Sequence, residues 1–215
     1  MKTELEKRSY NFEVRAEQTE RGDIITGRPI VYDSRTDLGW FDEVIDRGAL
    51  DGADLTDVRF LVNHDLSKIP LARSRRNNGN STMQFTVDQF GLNLDWVQLD
   101  TENNMDARAL YSAVQRGDIT GMSFMFGVDS ERWEDLESEH PTRHIEKISS
   151  VVEVSAVTFP AYDATSISAR SKEALESARS ALESARQQSA EPLESGMDEL
   201  ELLKEKTKIL GGINQ

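Results

Sequence analysis

The strongest constraint on the fold is a period-two alternation that reverses across a short turn. Met83, Phe85 and Val87 alternate with polar neighbours, Asp88-Gln89-Phe90-Gly91 follows, and Leu92, Leu94 and Trp96 alternate on the return. Successive side chains of a strand point to opposite faces, so this segment predicts a β-hairpin, with Leu99 beyond a break in register at Val97. Other segments carry the same signal. Ile24, Ile25, Ile30, Val31 and Tyr32 predict one or two short strands, with Pro29 at an edge or bulge. Met122, Phe124, Phe126 and Val128 predict one face of a further strand, with Ser123, Met125 and Gly127 on the other. Residues 145–159 read as a long strand closed by Pro160.

Helical signals are fewer. Met105 to Arg116 predicts a helix with Ala107, Leu110 and Val114 inward and Gly117 as its stop. Phe41, Val44 and Ile45 share a helical face, with Gly48 ending that turn. Strands and helices do not alternate regularly, which favours a compact β-barrel or α+β domain over a doubly wound sheet.

Composition changes at about Ser171, where Ala, Glu, Ser, Lys and Arg take over. Ala174-Leu175-Glu176-Ser177-Ala178-Arg179 returns as Ala181-Leu182-Glu183-Ser184-Ala185-Arg186, and Leu175, Ala178, Leu182 and Ala185 make a thin apolar seam. Pro192 and Gly196 break it, and residues 197–210 carry a second helical pattern. The expected organisation is an arm over residues 1–8, a domain over 9–170 and an acidic, helical or disordered tail over 171–215. The low hydrophobic share, 37%, fits a compact core with a polar extension.

The chain has no cysteine, which excludes disulfides, thiolate metal sites and cysteine nucleophiles. No run of about 18 apolar residues exists to cross a membrane. The opening residues 1–8 lack the apolar stretch of a signal peptide, so a cytoplasmic protein is expected. A net charge of −14 argues against a nucleic-acid partner, and Arg73, Arg75 and Arg76, followed by Asn77, Asn78, Gly79 and Asn80, read as a solvated loop.

Only three histidines are present. His64 follows the apolar run Phe60-Leu61-Val62-Asn63, and an imidazole at a strand end is placed to act as a base, although such a residue is more often structural. His140 and His144 have spacing compatible with zinc, but Pro141 breaks the helix that would align them and no third ligand is suitably spaced; no metal site or cofactor is expected. Ser123 lies among large apolar residues between Gly121 and Gly127, outside any Gly-x-Ser-x-Gly pattern. Glu153 interrupts an apolar strand, Val151 to Val157. Buried and unpaired it would cost several kcal/mol, on the order of its desolvation, so it either faces solvent or has a partner such as a histidine. Together these residues supply a nucleophile, a base and an acid that can orient the base.

Four segments, in order, resemble the prohead (capsid maturation) proteases of tailed phages of the HK97 type. They are Phe41-Asp42-Glu43-Val44-Ile45-Asp46-Arg47-Gly48-Ala49-Leu50, Leu61-Val62-Asn63-His64-Asp65, Gly117-Asp118-Ile119-Thr120-Gly121-Met122-Ser123-Phe124-Met125-Phe126 and Glu153-Val154-Ser155-Ala156-Val157-Thr158-Phe159-Pro160-Ala161. The resemblance spans about residues 10–170. That family is related to the herpesvirus assembly proteases, which implies a closed β-barrel ringed by helices, within an α+β, mainly β class. It implies Ser123 as nucleophile, His64 as general base and Glu153 where the herpesvirus relatives carry a second histidine. The paired arginines that those relatives place after this third residue are missing, since Phe159, Pro160, Ala161 and Tyr162 stand there. Backbone N–H groups near Gly121 or Gly127 are the candidate oxyanion donors.

The resemblance further implies a serine endopeptidase acting inside the assembling procapsid in the host cytoplasm. Its implied partners are the scaffolding segment of the major capsid protein and the protease itself, through self-cleavage and association into a homo-oligomer. The tail would dock on scaffold helices and then be removed. Two other readings compete: a non-catalytic scaffold or core protein that copolymerises with capsid subunits, and a hydrolase of small esters.

Overall fold

A computed structural model describes residues 5–10, 14–158 and 171–190. The chain divides into two compact units, residues 1–179 and 180–215. The described part of the first unit is mainly β. Its longest elements are β10 (Gly121–Glu134) and β11 (Thr142–Val157), an antiparallel pair at the centre of a seven-stranded sheet. Strand β1 (Leu5–Tyr10) pairs antiparallel with the free edge of β10. Along its other edge β11 takes two short parallel partners: β5 (Asp42–Ile45) near its start and β6 (Arg59–Val62) near its end. Strand β4 (Arg35–Asp37) extends the sheet beyond β5, and β7 (Ala72–Arg73) beyond β6. The second sheet is a four-stranded antiparallel meander in the order β2 (Arg15–Thr19), β3 (Gly22–Val31), β9 (Gly91–Gln98), β8 (Met83–Asp88).

The core joins the two sheets. Ile25, Ile30, Met83, Leu92 and Leu94 of the second sheet cluster with Phe60, Phe124, Phe126 and Val154 of the first, all 0–1% exposed. Helix α1 (Met105–Gln115) packs on β2 and β3 and buries Ala107, Leu110 and Val114, the residues its periodicity predicts. Asn104 caps its N-terminus by accepting from the Asp106 and Ala107 N–H groups, and Gly117, at φ 76°, follows its end.

The hairpin forms as predicted, with one difference. A bulge at Asp95 sets Gln84 opposite Trp96 but Phe85 opposite Leu94. The extra residue reverses the alternation, so Val97 is buried and Trp96 turns outward, where the Arg21 guanidinium stacks 4.9 Å from its ring. Gly91 closes the turn at φ 135°, and a Cβ there would lie 2.0 Å from the Ile30 carbonyl oxygen. Pro29 sits at a register shift between Gly27 and Ile30.

Residues 41–45 form no helical turn; they lead into β5, where Glu43, Val44 and Ile45 are buried in succession. A short strand covered on both faces has no period-two signature, so its apolar run reads equally as helix. The sheets do not close into a barrel among the described residues, and two helices accompany them. Among the described residues, single backbone bonds link the edges, from Asp33 N–H to the Ile45 carbonyl and from Thr82 N–H to the Arg73 carbonyl. Strands β4 and β7, of three and two residues, are too short to carry a ladder there. Helix α2 (Ser171–Ala190) forms over the heptad echo. The breaks at Pro192 and Gly196 and the second helical pattern over 197–210 lie outside the described residues. No described helix is long and apolar enough to cross a membrane.

Candidate active site

The ladder between β10 and β11 sets Ser123 opposite Ser155 and Met125 opposite Glu153. Directly paired residues share a face, so Ser123, Glu153 and Ser155 project to one side of the sheet. The parallel pairing of β6 with β11, Phe60 opposite Val154 and Val62 opposite Ala156, then delivers the chain to His64 above that face. Residues separated by 59 and 89 positions meet there. The imidazole of His64 lies with Nε2 2.5 Å from Ser123 Oγ and with Nδ1 in contact with Glu153 Oε1.

His64 occupies a sharp turn. Asn63 and His64 both adopt the left-handed conformation, at φ 54° and 57°. For residues other than glycine this costs roughly 1–2 kcal/mol each, and neighbouring groups must hold it. Strand β11 does so. The Asn63 N–H donates to the Ala156 carbonyl, the Asn63 side-chain amide donates to Thr158 Oγ1, and the Thr158 N–H donates to Asn63 Oδ1, each at 3.0 Å. The His64 N–H donates to Ser155 Oγ at 3.0 Å. Ser155 in turn donates its hydroxyl proton to Glu153 Oε2 at 2.6 Å. One buried serine thus ties the backbone of His64 to the carboxylate that holds its ring. Ser155 was within the Glu153-Val154-Ser155 segment but carried no signal of its own; a serine two positions along a strand is distinguished only by what lies across from it.

The open question at Glu153 is resolved by burial. The residue is 0% exposed and its two oxygens are engaged by His64 and Ser155. A carboxylate contact to Nδ1 fixes the tautomer that leaves Nε2 free to accept a proton, and it stabilises the imidazolium that results. Ser123 is also 0% exposed. Beyond His64 it meets β1: its Oγ donates to the Arg8 carbonyl at 2.7 Å and accepts from Ser9 Oγ at 2.9 Å.

The other two histidines part company. His140 is exposed and lies 3.3 Å from Asp42 Oδ1, in a surface group with Asp37. His144 does not sit in a loop; it belongs to β11 and contacts Asp46 Oδ1 at 2.8 Å. Of the three arginines read as part of a loop, Arg73 ends β7 and pairs with Asp57 at 2.5 Å.

A second polar cluster lies close by. Arg8 of β1 contacts both Glu43 oxygens, at 2.5 and 2.7 Å, and Glu6 at 2.5 Å. Arg143 of β11 contacts Glu6 at 2.7 and 2.8 Å, Glu43 at 3.0 Å and Glu131 at 2.9 Å. Burial pushes the Glu6 carboxyl up, but Arg143 and Arg8 outweigh it and hold the group at about 2. Burial likewise opposes the charge on both guanidinium groups, yet their carboxylate partners raise them above the ordinary arginine range. Reading residue by residue missed this network, because its members stand in four separate segments.

A mainly β scaffold that brings a buried hydroxyl, an imidazole and a carboxylate into contact describes a serine-hydrolase class of site. The chain belongs to the caudovirus prohead serine protease family, whose profile matches residues 10–179, and it is a serine peptidase of bacteriophage capsid maturation. No curated protein and no solved structure gives a significant match.

Proposed function

We propose that the chain is a Ser-His-Glu endopeptidase that cleaves the scaffolding segment of the major capsid protein, and itself, within the assembling procapsid. The observation that carries this reading is the His64 imidazole, held between Ser123 Oγ and the Glu153 carboxylate. In the proposed reaction His64 Nε2 takes the Ser123 hydroxyl proton as Oγ attacks a peptide carbonyl carbon. The same proton passes to the departing amine, and an acyl-enzyme remains on Ser123. Water, deprotonated by His64, releases the acyl group. Glu153 orients the ring and stabilises the imidazolium. Backbone N–H groups near Gly121 or Gly127 are the proposed oxyanion donors.

The remaining proposals rest on family membership. The two sheets would belong to a herpesvirus-protease-like barrel, with residues 1–8 as an arm, 9–170 as the protease domain and 171–215 as a tail that docks on scaffold helices before its removal. Partners would be capsid protein and further copies of this chain, with no nucleic acid, membrane, metal or cofactor. The test is co-expression of the cognate major capsid protein with wild-type protein or with Ser123→Ala, followed by intact mass spectrometry. Shortening of both chains by wild type alone supports the reading. Equal trimming by the variant removes Ser123 from the mechanism, and no trimming by either in assembled particles favours a non-catalytic scaffold protein.

A further inference from the structure

A nucleophile must reach its substrate, yet Ser123 is 0% exposed and its cover is β1. Strand β1 runs antiparallel along β10 with Ser9 opposite Ser123, Lys7 opposite Met125 and Leu5 opposite Gly127. It presents a main-chain carbonyl, that of Arg8, directly to Ser123 Oγ at 2.7 Å. The family match begins at residue 10, the last residue of this strand. We propose that the β10 edge beside Ser123 is the substrate main-chain site, that Glu43 is its recognition group for a basic side chain, and that β1 occupies both as an intramolecular substrate mimic. This rests on the assignment of Ser123 as nucleophile.

Three features argue for a mimic. The first is the strand geometry: an extended peptide on a sheet edge gains main-chain hydrogen bonds regardless of sequence, which suits an enzyme that must accept protein segments. The second is the side chain. Arg8 is 2% exposed, with its guanidinium laid fork to fork on Glu43, an arrangement that selects a planar cation. Glu43 lies on β5 and keeps Arg143 as a partner if Arg8 departs, so the subsite persists when emptied. The substrates that fit are extended peptides with arginine, and less tightly lysine, at the residue whose carbonyl faces Ser123.

The third feature is the proton inventory. A hydroxyl has one proton, and the Arg8 carbonyl oxygen at 2.7 Å competes for it with His64 Nε2 at 2.5 Å. Whatever share the carbonyl holds is withheld from His64 Nε2, and transfer to that nitrogen is what activates the nucleophile. The same contact binds the strand to the site and keeps the site idle. Departure of β1 frees the proton, exposes Ser123 and releases the β10 edge for an incoming chain.

The test uses the full-length chain and a fluorophosphonate probe, in which Ser123 Oγ displaces fluoride from phosphorus. Wild type should label slowly. Arg8→Ala, which removes the charge-assisted contacts to Glu43 and Glu6, should label about a hundredfold faster, and Arg8→Lys, which keeps the charge but not the fork, should label at a rate between the two. Adding the peptide Leu-Glu-Lys-Arg-Ser-Tyr should slow the Arg8→Ala variant again, whereas the same peptide with alanine for arginine should not. A folding-independent arm uses wild type alone. Once Ser123 carries the phosphonate, the amides of Leu5–Tyr10 should lose protection from hydrogen exchange while those of β11 keep theirs. Labelling of Arg8→Ala no faster than wild type, or protection of β1 unchanged by the adduct, overturns the proposal. Labelling that persists in Ser123→Ala instead overturns the nucleophile assignment beneath it.

Discussion

The buried ion network makes a quantitative statement about acid stability through Glu6. Its carboxyl has an ordinary value of 4.5 and is held at about 2 in the folded chain. A folded value below the unfolded one means that ionised Glu6 favours the native state. That contribution is fully present above pH 4.5 and is lost as pH falls toward 2. At about 1.4 kcal/mol per pH unit, it is worth about 3 kcal/mol near neutrality. Glu6 is only 8% exposed, so solvent screens little of it. The perturbation is Glu6→Gln, which keeps the shape and removes the titration. Urea unfolding of both proteins at a series of pH values gives their stability difference. Wild type should be the more stable at pH 7, with an advantage that shrinks by about 3 kcal/mol between pH 5 and 2. Arg8 and Arg143 stay charged throughout this window, so the change belongs to the carboxylate. A difference that is flat across the window would refute the argument, because it would mean that Glu6 titrates alike in the folded and unfolded chains.

Three further outcomes follow from the site and the fold. Glu153→Gln should lower kcat on the capsid substrate by on the order of 10³–10⁴ with little change in KM, because an amide that donates to Nδ1 fixes the wrong tautomer. Ser155→Ala should lower kcat about tenfold and displace the pH–rate profile, since it strips a donor from Glu153 and an acceptor from the His64 N–H; Ser155→Thr should recover most of the loss in both. Gly91→Ala should destabilise the fold by roughly 3 kcal/mol in thermal or urea unfolding, because the added Cβ meets the Ile30 carbonyl oxygen at 2.0 Å in a backbone conformation alanine avoids.

Local chemistry was legible wherever one residue's neighbours in sequence are also its neighbours in space. The hairpin from Met83 to Val97 and helix α1 announce themselves by period, because a solvent face and a core face alternate along them. Strand β5 did not, since it is covered on both sides. The bulge at Asp95 shifted the alternation by one residue, and a slip of one is enough to turn Trp96 outward and Val97 inward.

The residue types of the site, a serine, a histidine and a carboxylate in apolar surroundings, were readable one at a time, and their order along the chain tied them to a family. Whether Glu153 faced solvent or a partner was undecidable from one dimension, because a strand's alternation does not say which strand lies beside it. The pairings of β10 and β6 with β11 decide that. They bring Ser123, His64 and Glu153 together, recruit Ser155 as the link between them, and lay β1 across Ser123. Amino-acid order establishes which chemistry is available. Long-range strand pairing, driven by burial of the shared core, establishes which groups touch and which are covered.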